Sequence, residues 1–136
     1  MMEKTTLNIY FENGDLDKAT LLLGALKADG FDARFGPSSP IQEDFCIVIL
    51  SKSTSKEALL NSLPWLGSQF ELSSFRGFRL MPVLVYRESE GLDNVWESGV
   101  GEIYEDIFSG EFKPFGFDLD SPSPLKEFPR ILEEYL

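Results

Sequence analysis

Histidine is missing from the 136 residues, and cysteine occurs once, at Cys46. Without histidine there is no serine-histidine or cysteine-histidine nucleophile pair and no His-containing metal site. One cysteine cannot build a structural zinc cluster or an internal disulfide, and Cys46, inside an apolar run, reads as inert packing. Long apolar runs are missing too: the longest, Phe45–Leu50, is far too short to cross a bilayer, and Met1-Met2-Glu3-Lys4 has no apolar signal core. A cytoplasmic protein is expected. Phosphate-cradling glycine loops are also absent, since Asn13-Gly14 reads as a turn and not as part of a Gly-x-Gly-x-x-Gly or lysine-bearing loop.

Basic residues are few, 12 Lys and Arg against 23 Asp and Glu, for a net charge of -11. The excess is uneven. Residues 1–86 hold 8 basic and 10 acidic groups, whereas residues 87–136 hold 4 basic and 13 acidic ones, and Glu88 to Glu111 has 8 acids and no base. A protein must supply cations to displace the counterions of a phosphate backbone, so nucleic acid is not an expected partner, and anionic membranes are disfavoured likewise. The acidic stretch reads either as a solvated surface or as a docking face for a basic partner.

What is present is a repeating β-α pattern in a chain of one-domain length, residues 1–136, with no internal repeat. Leu7–Phe11, Phe45–Leu50 and Leu80–Tyr86 are apolar runs separated by leucine-bearing stretches, the signature of an α/β fold with a parallel sheet. Strand one is expected over Thr6–Phe11, with Leu7, Ile9 and Phe11 on one face and Tyr10 on the other. Helix one is expected over Asp15–Asp29, N-capped by Asp15, with Leu22 and Leu26 inward, and closed by Gly30. A short strand follows at Phe31–Phe35. Phe45–Leu50 reads as a central strand that buries Ile47 and Ile49. Thr54-x-x-Glu57 reads as a capping box opening a second helix, which Pro64 kinks or ends. In Phe78–Tyr86, Val83 is expected to be buried, and Pro82 implies a bulge or an early strand position.

Further along, a short helix is expected around Leu92–Glu97 with Val95 and Trp96 packing back, a second over Gly101–Phe108, and an edge strand over Phe112–Leu119. Ser123-Pro124 reads as a helix start. Leu125, Phe128, Ile131, Leu132, Tyr135 and Leu136 form an apolar stripe, so that helix is either kinked at Pro129 or begins only after Phe128. Trp65 and Trp96 read as core-covering aromatics.

In parallel sheets ligands and partners dock where strands end, which makes Tyr10, Glu12, Asp15, Ser51 and Ser53 the candidate binding residues. Tyr10 and Ser51, at adjacent strand ends, are candidates for one polar pocket. A receiver-type phosphoacceptor needs an aspartate at the end of the central strand, and Phe45–Leu50 runs instead into Ser51-Lys52-Ser53.

The run Asn8-Ile9-Tyr10-Phe11-Glu12-Asn13-Gly14-Asp15 resembles the first-strand motif of TIR (Toll/interleukin receptor) domains. Pro40 to Ser51 is similar to their second loop, third strand and following serine, and Arg79-Leu80-Met81-Pro82-Val83-Leu84-Val85 to their fourth strand. The resemblance covers most of residues 6–86 and implies a flavodoxin-like three-layer fold with a five-stranded, mostly parallel sheet. For some members of that family it also implies cleavage of NAD by a glutamate in the helix after the third strand. That position falls near Ser62 or Leu63 in this sequence, where no acid stands. The expected function is therefore a signalling domain without catalysis or cofactor. It would dock a protein partner or a second copy through Glu12–Asp15, Gly36–Gln42 and Ser51–Ser55, or through the acidic C-terminal segment. The alternative is an NAD- or nucleotide-cleaving enzyme using Glu57 with Tyr10 and Ser51.

Overall fold

The computed structural model describes residues 5–36, 45–66, 79–108 and 115–135. Along the chain they form β1 (Thr6–Tyr10), α1 (Leu16–Ala28), β2 (Asp32–Phe35), β3 (Phe45–Leu50), α2 (Lys56–Ser62) and β4 (Arg79–Tyr86). Then come α3 (Leu92–Val95), a stretch over Trp96–Val100 kinked at Gly99, whose φ is +123°, α4 (Gly101–Phe108), β5 (Phe115–Asp118) and α5 (Phe128–Tyr135). The strands make one five-stranded sheet in the order β2-β1-β3-β4-β5, and every pairing is parallel. That order is flavodoxin-like, with its switch point between β1 and β3.

Strand alternation divides the core into two layers. Leu7, Ile9, Ile47, Ile49, Met81, Val83 and Val85 face α1 and α5, and pack on Ala19, Leu22, Leu26, Phe128, Ile131 and Leu132. Tyr10, Cys46, Val48, Leu50, Leu80 and Leu84 face the other way, onto Leu59 of α2, Leu63 just past its end, and Val95, Val100, Ile103 and Tyr104. Because β3 is covered on both sides, all six of its residues are buried, as a continuous apolar run requires. Leu22, Leu26, Ile47, Ile49 and Val83 are each 0% exposed, as their spacing predicts.

The end of α1 is set by Gly30, whose φ of +92° is costly for any residue with a Cβ. There its N–H donates to the Lys27 carbonyl and the Phe31 N–H donates to Leu26, both at 3.0 Å, so the orphaned carbonyls of the last turn are satisfied.

Some local expectations change and others hold. Ser123-Pro124 does not start a helix: α5 begins at Phe128 and carries Pro129 in its first turn, where the missing N–H costs nothing. Phe128 is pinned there by edge-on contact with Phe31 at 5.2 Å and Phe115 at 5.1 Å. Pro82 makes no bulge, because the register runs unbroken from Phe45 and Arg79 to Leu50 and Leu84. Pairing with β5 starts at Val83, so Pro82 precedes the part of β4 that is paired on both sides. Helix α2 ends at Ser62, before Pro64. The edge strand expected over Phe112–Leu119 is present as Phe115–Asp118, and residues 112–114 lie outside the described ones. Val95 is buried and Trp96 half-buried against Tyr104, with ring centroids 5.3 Å apart.

Candidate functional site

The loop after β1 and the loop after β3 meet at the switch point, and Asp15 is where they touch. Its side chain is 0% exposed, and a buried carboxylate is costly unless its oxygens are hydrogen-bonded. Three hydroxyls of the facing loop serve it. Ser51 Oγ donates to Asp15 Oδ1 at 2.7 Å, Thr54 Oγ1 to Oδ2 at 2.6 Å, and Ser53 Oγ to Oδ1 at 3.3 Å. Lys18 adds positive charge from one turn along α1, with Nζ 3.9 Å from Oδ1.

This arrangement overturns two readings of the sequence. Asp15 occupies the N-cap position of α1 but makes no side-chain cap bond, because its carboxylate is turned to β3 instead of to its own helix. Nor does Thr54 open a capping box. Ser55 is the N-cap of α2 and accepts from the Ala58 N–H at 3.1 Å, whereas the Thr54 hydroxyl accepts from the Ser51 N–H at 2.9 Å while donating to Asp15. Glu57 is then an exposed side chain in the first turn of α2. Thr54 and Lys18 are members that sequence reasoning missed. The only signal for Lys18 was its i,i+3 spacing from Asp15.

Glu12 stays local, its Oε1 accepting from the Gly14 N–H at 3.0 Å. Tyr10 and Ser51 do not share a pocket. Tyr10 pairs with Val48 in register and lies on the layer of Val48 and Leu50, whereas Ser51, one residue past Leu50, meets Asp15 at the start of α1 on the opposite face.

Tyr10 instead packs edge-on against Trp65, centroids 4.9 Å apart. A methyl group at Gly36 would overlap the Tyr10 ring, and the Gly36 N–H donates to the Ile9 carbonyl at 3.0 Å. Glycine lets the chain leave β2 across the ring. Beside it lies a pocket of about 210 Å³ lined by Ile9, Tyr10, Phe11, Asn13, Phe35, Gly36, Ser62 and Leu63, without a carboxylate or an amine among these residues. Phe11 and Phe35 meet edge-on at 5.1 Å, and Phe35 remains 38% exposed, as Leu16 at the start of α1 remains 50% exposed. Of the expected docking loop Gly36–Gln42, residues 37–42 lie outside the described ones.

The exits of β4 and β5 are joined separately, Asp120 accepting from Arg87 Nη1 at 3.3 Å and from the Glu88 N–H at 2.9 Å. Burial, and then the Asp118 carboxylate, push the Tyr86 phenol above its ordinary pKa. Past this point Glu88, Asp93, Glu97, Glu102 and Glu105 are all exposed. Among the described residues no helix is long and apolar enough to cross a membrane. In comparisons with protein-family models, curated proteins and solved structures, nothing matches this chain.

Proposed function

We propose that the chain is a TIR-like interaction or signalling domain that works by docking on a second copy or a protein partner, without catalysis and without a cofactor. The observation that carries this reading is the state of Asp15 at the switch point: buried, with both oxygens accepting hydroxyl hydrogen bonds. A carboxylate whose two oxygens are both taken up by the facing loop is closed to the donors of a ligand. Two further features support docking. The pocket beside Tyr10 has an uncharged lining in which Asn13 and Ser62 stand among aromatic and aliphatic residues, and Leu16 and Phe35 leave apolar surface in water near the strand ends. The cytoplasm is the compartment this reading implies.

Sedimentation of the full chain over a range of concentrations tests it, together with incubation with NAD and ATP under sensitive product detection. Reversible association that Leu16→Lys and Phe35→Lys weaken is expected, with no product formed. Nicotinamide release that disappears in a folded Glu57→Ala variant would overturn the reading.

A further inference from the structure

We infer that the Asp15 cluster is a latch coupling the loop after β1 to the loop after β3, so that the two open and close together while the sheet beneath them stays folded. It goes beyond the docking role and holds whether or not a partner binds there. Each loop keeps its local backbone bonds to itself: the Asp15 N–H donates to Glu12 at 2.8 Å, and the Thr54 N–H to Ser51 at 3.0 Å. What crosses between them is the set of three hydroxyl bonds converging on one carboxylate. That carboxylate belongs to one loop and all three donors to the other. Once they part, Asp15 keeps only Lys18 beside it and the hydroxyls keep only one another, at 3.1 and 3.2 Å, so each side loses its stronger, charge-assisted bonds.

The cluster also sits on the rim of the core and not within it. Ser51 follows the last residue of β3, and Ser53 is exposed. Opening there need not disturb Ile47 or Ile49, which are held by the sheet and by α1. Thermodynamic reciprocity then applies: a molecule bound at one loop that favours the open or closed latch changes binding at the other loop, and one bound there changes the first by the same factor. Asn13, which lines the pocket beside Tyr10, lies in the first loop, so the pocket wall responds to events at Ser51–Ser55.

Native-state amide hydrogen exchange on the full chain tests the latch. Thr54→Val keeps the shape of the side chain and removes its hydroxyl. It is expected to speed exchange at Gly14 and Asp15, in the other loop, by about tenfold or more, together with Ser51 and Thr54, through openings of lower free energy than those that expose Ile47 and Ile49. Ser53→Asp, at an exposed position, sets a second carboxylate against Asp15 and should give the same pattern, whereas Ser53→Ala, which removes only the 3.3 Å bond, should have the smallest effect. Acceleration confined to residues 51–55 in both Thr54→Val and Ser53→Asp overturns the latch. So does exchange of the loops with the same opening free energy as Ile47 and Ile49, since the cluster would then open only with the whole fold. Should Thr54→Val not fold, Ser53→Asp decides by the same criteria.

Discussion

Ser51 Oγ lies 2.7 Å from Asp15 Oδ1, although the two residues are 36 positions apart in the chain. Parallel pairing of β1 with β3 is what brings their loops together, and each residue follows the strand that carries it. A polar contact so placed joins two loops that share no sequence signal, and its energetic weight can be measured.

Thr54→Val removes the donor to Asp15 and the acceptor for the Ser51 N–H at once, in a site where Thr54 is 5% exposed. The expected loss of stability is about 1.5–3 kcal/mol. Ser55→Ala, which deletes the true cap of α2, should cost about 1 kcal/mol. Denaturant unfolding of both variants checks the ranking. A cap at Thr54 would reverse it.

Leu22→Ala and Leu26→Ala should each cost about 2–5 kcal/mol, since both side chains are fully buried between α1 and the sheet. Losses under about 1 kcal/mol at both positions would contradict the inward face of α1.

Gly36→Ala forces a methyl group into the Tyr10 ring. Either the ring or the backbone leaving β2 must shift, at a cost of about 1–3 kcal/mol. Tyr10 packs on Trp65, so the indole fluorescence should change along with the unfolding midpoint. A variant with wild-type stability and spectrum would mean that the close approach is not tight.

Self-association, where it occurs, joins two molecules that each carry a net charge of -11. Added salt should therefore strengthen it by screening their mutual repulsion. Glu102→Gln with Glu105→Gln, at exposed positions of α4, should flatten that salt dependence. Sedimentation at several ionic strengths measures both effects, and weakening by salt would point to attraction between opposite charges instead.

The order of elements and the core were legible because burial leaves a periodic trace. Phe45–Leu50 is apolar at every position because helices cover both faces of β3, and Leu22 and Leu26 recur at helical spacing because one stripe of α1 faces the sheet. Gly30 announced the end of α1, since a positive φ leaves little choice of residue. Capping was less legible. Thr54 and Ser55 are adjacent hydroxyl residues with the same local propensity, and the partner that separates them, Asp15, is far away in sequence.

Local composition and period are enough to specify the parallel α/β architecture, the inward faces and the acidity of the last third. Tertiary structure alone decided that Asp15 turns away from its own helix to hold Ser51, Ser53 and Thr54, and that Tyr10 and Ser51 lie on opposite faces of the sheet. The physical reason is register. Pairing Tyr10 with Val48 fixes which face each later residue takes and which loops meet at the rim, and a one-residue slip would have exchanged every one of those partners.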